Sequence, residues 1–277
     1  MMYRIALIIE YDGSNYHGLQ IQKNSIYSTI QQQLEIAISK VANHPVDIVC
    51  AGRTDAKVHA TYQIIHFDTV TQRKMSAWVF GVNNFLPLDI RILSSKEVSL
   101  DFNARKSALL RTYNYYIYNS QIRNSLFRNY LAWEYQNLNV DCMQQAANYW
   151  LGEHDFSSFR GKDCQSRSSI RKIYLIKCCR LQNLVKISIT ANAFLKHMVR
   201  NMVGVLIKIG QIGPSSVPIA KKILLARDRK AASVTAKPQG LYLSYILYPN
   251  KFKFELLKNL NRNSYFEIQK IYDNINY

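Results

Sequence analysis

The chain is punctuated too often to be built from long elements. Short runs of branched and aromatic residues alternate with amphipathic segments, and turn signals recur between them. Tyr3 to Tyr11 reads as a strand that stops at Asp12-Gly13-Ser14-Asn15. Ser28 to Val41 reads as a helix: Ser28 with Gln31 suits a capping box, and Ile30, Leu34, Ile38 and Val41 recur on one face. Strands follow at Val46 to Cys50, Tyr62 to Phe67 and Asp89 to Leu93, with a helix around Met75 to Asn83. A second unit repeats the style, with a strand at Arg111 to Tyr118 and a helix at Val140 to Leu151 that turns Met143, Ala147, Trp150 and Leu151 inward. Ile170 to Arg180 and Leu184 to Thr190 form a strand pair about Gln182-Asn183. Ala193 to Ile209 is a long apolar helix with Gly210 as its cap, Ser216 to Arg227 another helix, and Leu241 to Leu247 a last strand.

Short turns between strands call for antiparallel pairing, which favours an α+β fold over a doubly wound sheet. The expectation is two similar mixed domains with antiparallel sheets joined side by side, helices on one side, and an active-site cleft between them. Residues 1–106 form the first domain and 107–249 the second. Residues 250–277, rich in Asn, Lys and Tyr, read as a peripheral extension.

Charge narrows the class of partner. Across 277 residues, 36 Lys and Arg face 18 Asp and Glu, a net charge of +18, which suits a polyanion such as nucleic acid. No run approaches the ~20 apolar residues of a membrane span. Glu10 and Asp12 follow the first strand too soon for a signal peptide. Five cysteines, an odd number without an export signal, fit reduced thiols in a cytoplasm. No CxxC pair exists, and adjacent Cys178 and Cys179 would point to opposite faces of a strand, which argues against a structural zinc site.

Glycine-rich phosphate loops, HExxH, nucleophile elbows and the zinc deaminase signature are all missing from the sequence. What remains is one polar loop between strands, where a single carboxylate, Asp55, stands among Arg53, Lys57 and His59. A carboxylate beside an arginine is held ionised, as a nucleophile must be. Taken alone, an Asp after Thr is better explained as a turn former or ion-pair partner.

Read as a whole, Cys50-Ala51-Gly52-Arg53-Thr54-Asp55-Ala56-Lys57-Val58-His59-Ala60 resembles the active-site loop of the tRNA pseudouridine synthase A family. Further blocks follow in the same order. They are Glu10-Tyr11-Asp12-Gly13, His17-Gly18-Leu19-Gln20, Phe102-Asn103-Ala104-Arg105, Arg111-Thr112-Tyr113-Asn114-Tyr115, Asp155 to Arg160, Asn192 to Gly204 and Pro238 to Leu243. The resemblance spans residues 3–249. It implies conversion of uridine to pseudouridine at positions 38, 39 and 40 of the tRNA anticodon arm, with no cofactor, by a cytoplasmic homodimer.

The resemblance also assigns roles. Asp55 matches the family's essential carboxylate, whether it attacks ribose C1′, attacks uracil C6 or assists a glycal route. Tyr113 matches the tyrosine that stacks on the target base, although its strand pattern alone favours a core tyrosine. Arg53 matches the residue that fills the space of the flipped nucleotide. Arg200 lies in an otherwise apolar helix, where an unpaired cation would be costly, so it is expected to pair with Asp55. Arg160 to Arg180 and Lys221 to Lys230 are basic clusters expected to contact phosphates. Two positions depart from the family pattern. Lys57 stands where glycine is usual, and Leu19 replaces an aromatic residue.

Overall fold

Tyr3–Tyr11 (β1) lies between two antiparallel neighbours, His59–Thr69 (β3) and Ile90–Val98 (β4). Residues 5–9 are buried without alternation, as in a strand covered on both faces. The computed structural model describes residues 1–22, 27–252 and 254. Between these first strands come a helix, Ile30–Ala42 (α1), and a short strand, Val49–Cys50 (β2), paired with β3. The next elements are Leu110–Asn119 (β5), Ala132–Glu134 (β6), Val140–Asn148 (α2) and Gly152–Asp155 (β7). They are followed by Ile170–Leu181 (β8), Leu184–Ala191 (β9), Met198–Ile212 (α3), Ile219–Ala226 (α4) and Leu241–Leu247 (β10).

The described strands form one sheet in the order β4-β1-β3-β10-β5-β9-β8-β7, with β2 and β6 attached at its side. This is an α+β fold, and antiparallel pairing dominates it. The exceptions are β6 on β5 and the join between β3 and β10, which is parallel and spans only Tyr242↔His59 and Leu243↔Ala60. On its other edge β10 pairs antiparallel with β5, so Leu243 sits between Ala60 and Tyr113. Tyr113 in turn pairs with Ile189 of β9. This register brings the loop before β3, the middle of β5 and the segment after β9 to one place.

Several expected boundaries move. The α1 cap is Thr29, whose side chain accepts from Gln32 N, while Ser28 accepts from the Gln33 side chain instead. Helix α2 stops at Asn148, leaving Leu151 39% exposed rather than inward, although Met143, Ala147 and Trp150 are buried. The expected strand at Val46 to Cys50 keeps only β2, and β3 starts earlier than Tyr62, at His59. Residues 75–83 are helical, with a π-helical stretch at Ala77–Gly81. Helix α3 begins at Met198, not Ala193, and its cap is Gly213 with φ 92°. Gly210 is internal to the helix: a Cβ there would lie 2.9 Å from the Met143 sulfur, so it serves close packing of α3 on α2. The short strands β6 and β7 carry too few residues to show a pattern.

Most of residues 250–277, expected as an extension, lie outside the described residues. Among the described residues no helix is long and apolar enough to cross a membrane.

Candidate active site

The loop from Ala51 to Val58 is anchored before it can present Asp55. At its entry, Gly52 N donates to Gln63 Oε1 at 3.3 Å, and Gln63 Nε2 donates to Gly52 O at 2.6 Å. Thr54, in the middle, is buried and hydrogen-bonded to the Tyr11 hydroxyl at 2.8 Å. At the exit, Val58 packs on the turn after β1 so closely that a Cβ on Gly13 would fall 2.0 Å from Val58 O. A Cβ on Gly18, whose φ is 94°, would fall 2.8 Å from Thr54 O. Glycine is required at both turns, and the N-terminal turn therefore braces the loop.

Arg111 extends this bracing across the sheet. It is 9% exposed, and its guanidinium donates to Ala51 O at 3.2 and 3.0 Å, Asn192 O at 2.9 Å, Arg105 O at 2.7 Å and Ala108 O at 3.3 Å. One buried side chain thus ties the loop to β5 and to the segment after β9. Burial pulls its pKa below the usual arginine value, and the carbonyls stand in for a carboxylate partner.

These elements enclose a cleft of about 840 Å³. Asp55, Arg53, Tyr113 and Arg200 all line it, so the structure brings the four sequence-predicted residues together. The Asp55 side chain is 27% exposed, and Arg200 Nη1 lies 3.3 Å from Asp55 Oδ2. Arg200 Nε donates to Ala236 O at 2.8 Å, which fixes the guanidinium's orientation. Tyr113 is buried, its hydroxyl donates to Arg53 O at 3.3 Å, and its ring meets the Phe194 edge at 5.1 Å. Burial raises the Tyr113 phenol well above its usual pKa, so it remains a proton donor. The Arg53 guanidinium reaches across the cleft to Gln165 Oε1 at 2.9 Å, while burial and nearby Arg105 lower its pKa.

The walls are cationic. Arg53, Arg105, Arg111, Arg171, Lys196 and Arg200 face only Asp55 and Asp163 among the lining carboxylates. Such a site attracts an anionic chain.

Sequence reasoning missed His197. Its Nε2 lies 3.5 Å from Asp55 Oδ2, on the same oxygen as Arg200. It was concealed inside an apolar run read as helix, yet it precedes that helix with φ 61°. Gln63 and Arg111 were equally hidden, because their role lies in distant carbonyls rather than in local pattern. His59, grouped with the loop cations, is instead buried: its Nδ1 accepts from Gly13 N at 3.1 Å, its ring stacks on Tyr242, and burial lowers its pKa. Leu19 is 1% exposed in the core behind the cleft. Lys57 is exposed and adopts φ 63°, the conformation glycine would take without strain.

The basic clusters divide. Arg160 donates to Cys164 O and Ser166 O, and Arg180 to Asn119 Oδ1 and Leu138 O. Arg171 donates to Ser168 O, and Arg229 to Asn201 Oδ1 and Thr235 Oγ1. These arginines bond to protein acceptors, Arg160 and Arg171 within their own loop and Arg180 and Arg229 on neighbouring elements.

The family model for tRNA pseudouridine synthase matches residues 7–105 and 146–249. Over 252 residues the chain is 52% identical to tRNA pseudouridine synthase A of Coxiella burnetii (strain Dugway 5J108-111), covering 91% of this chain and 95% of that one. It is 49% identical over 249 residues to tRNA pseudouridine synthase A of Legionella pneumophila (strain Lens), covering 90% and 94%. A solved H/ACA ribonucleoprotein bound to a substrate RNA is similar over 73% of this chain and 53% of its own, at a TM-score of 0.32 and 10% identity, too remote to argue from. With a matched model over most of its length and relatives near half identity, the chain belongs to the tRNA pseudouridine synthase family.

Proposed function

We propose that this protein isomerises uridine to pseudouridine at positions 38, 39 and 40 of the tRNA anticodon arm. The observation that carries the reading is the Asp55 carboxylate, presented to a cationic cleft and held 3.3 Å from Arg200, in a chain of this family. The N1–C1′ bond breaks, the uracil turns, and C5 joins C1′. No step changes an oxidation state, so no cofactor is assigned.

Each group has a physical task. Asp55 supplies the carboxylate oxygen that acts on the extruded nucleotide, and Arg200, already oriented by Ala236 O, holds that oxygen in place at 3.3 Å. Tyr113 offers a ring face to the flipped uracil, with Phe194 buttressing it. Arg53, at the mouth, releases Gln165 and takes the space the base vacates, where a planar guanidinium can stack. The remaining cations hold the phosphate chain, and recognition follows the shape of the folded tRNA. The working halves are residues 1–106 and 107–249. The protein acts in the cytoplasm as a homodimer, one subunit taking the arm being modified while the other supports the tRNA.

The test is release of tritium from tRNA carrying 5-tritiated uridine, since forming the C5–C1′ bond expels that hydrogen. Wild-type protein releases the label. Asp55→Asn is expected to lose turnover by at least about 10³-fold while binding the same tRNA. No release by the intact protein leaves only a tRNA-binding factor. Release that survives in Asp55→Asn removes Asp55 from the chemistry.

A further inference from the structure

We propose that His197 is the proton carrier of the reaction, its imidazole accepting the proton from uracil C5 and returning a proton to N1. This rests on the isomerisation proposed above. Whichever route the carboxylate takes, the new C5–C1′ bond leaves C5 holding its hydrogen as well. That C5–H electron pair must go back to the ring to restore the C5=C6 bond, and N1, freed from ribose, must gain a proton. One proton leaves and one arrives, so a single base that becomes an acid closes the balance without an oxidant or co-reactant.

The geometry builds His197 for such a task. It occupies the N-cap position of α3, yet its side chain makes no capping bond. Its φ of 61° and ψ of 2° place it in the left-handed region, a local strain of about 1 kcal/mol or more that turns the ring away from the helix. Gly161 leaves room for that ring: a Cβ there would lie 3.0 Å from His197 Nδ1 and 3.1 Å from its Cβ. On the other side Nε2 meets Asp55 Oδ2 at 3.5 Å, so the imidazole stands where the carboxylate meets the nucleotide. The Tyr113 hydroxyl is turned toward Arg53 O, to which it donates at 3.3 Å.

The charged groups facing the ring are Asp55 from the loop, Arg200 and Lys196 from its own segment, and Arg229 from the turn after α4. Burial lowers its pKa below the usual 6.5; Asp55 pulls the other way, and the three cations add to the lowering. The ring is therefore neutral at pH 7, with a lone pair to accept a proton.

The experiment compares wild type with His197→Gly and His197→Asn, both suited to positive φ, in single turnover on tRNA carrying 5-protiated or 5-deuterated uridine. Both variants are expected to bind tRNA normally, to slow by about 10²–10³-fold, and to show an isotope effect larger than wild type. Added imidazole should recover the rate of His197→Gly. The wild-type rate should fall as the pH drops below 6.5, and this limb should vanish in His197→Asn. A variant within threefold of wild type, or a slow one with neither isotope effect nor imidazole recovery, overturns the proposal. Wild-type protein that keeps the C5 hydrogen overturns the isomerase reading instead, and this one with it.

Discussion

At the scale of single residues, the loop after β2 combines an economical design with one strained position. Lys57 holds φ 63° with an exposed side chain, and its backbone N donates to Tyr16 O at 3.2 Å, so the conformation is fixed by the brace rather than by lysine. Lys57→Gly is expected to raise stability by roughly 0.5–1 kcal/mol, a melting shift of about 1–4 °C, after the loss of chain entropy from glycine is offset. A thermal melt that moves downward would mean that the lysine side chain contributes more than its strain costs. Arg53 and Asp55 in one short motif, and Tyr113 in another, were legible through the family resemblance those motifs carry rather than from their own chemistry. Arg200 was legible as a cation stranded in an apolar run. His197 was not, since a histidine ahead of Met198 and Val199 reads as the helix continuing, and only the positive φ shows the turn.

Among the elements, strand placement matters more than strand identity. Runs such as Leu241 to Leu247 were readable because branched and aromatic residues crowd them, whereas the neighbour each strand would choose depends on partners far away. Helix α3 shows the limit well. Ala193, Phe194 and Leu195 were read as helix, but they precede α3 and line the cleft, with Phe194 packed on Tyr113. Gly210 resembles a stop signal in sequence and is a packing notch in space. Arg111 on β5 belongs to this scale too. Arg111→Met would leave four carbonyls without their donor, and stability is expected to fall by about 3 kcal/mol or more, read from the denaturant midpoint. Arg111→Lys restores the charge but not the fork, and should recover only part of that loss. An unchanged midpoint in Arg111→Met would remove the bracing role.

For the whole molecule, the net charge of +18 is only partly free for direct contact with a partner, since Arg160, Arg171, Arg180 and Arg229 have their donors on acceptors within the protein. Arg105 and Lys196 at the cleft, together with exposed lysines such as Lys57, remain to meet phosphate. Affinity for tRNA is therefore expected to drop by about 10³-fold or more between 50 and 200 mM salt, as for about six phosphate contacts. A flat salt titration would show that the charge serves some other end. Composition announced this tendency, but which arginines are spent internally depends on carbonyls that only the folded chain brings near.

The seam at β10 also sets an order of events during synthesis. Leu241–Leu247 leaves the ribosome after every other described strand of the sheet, yet it joins β3 on one edge and β5 on the other. Until it emerges, the nascent chain carries Asp55 and Tyr113 on edges that have not met, so the newborn enzyme stays inert toward RNA until nearly all of its sheet has been translated.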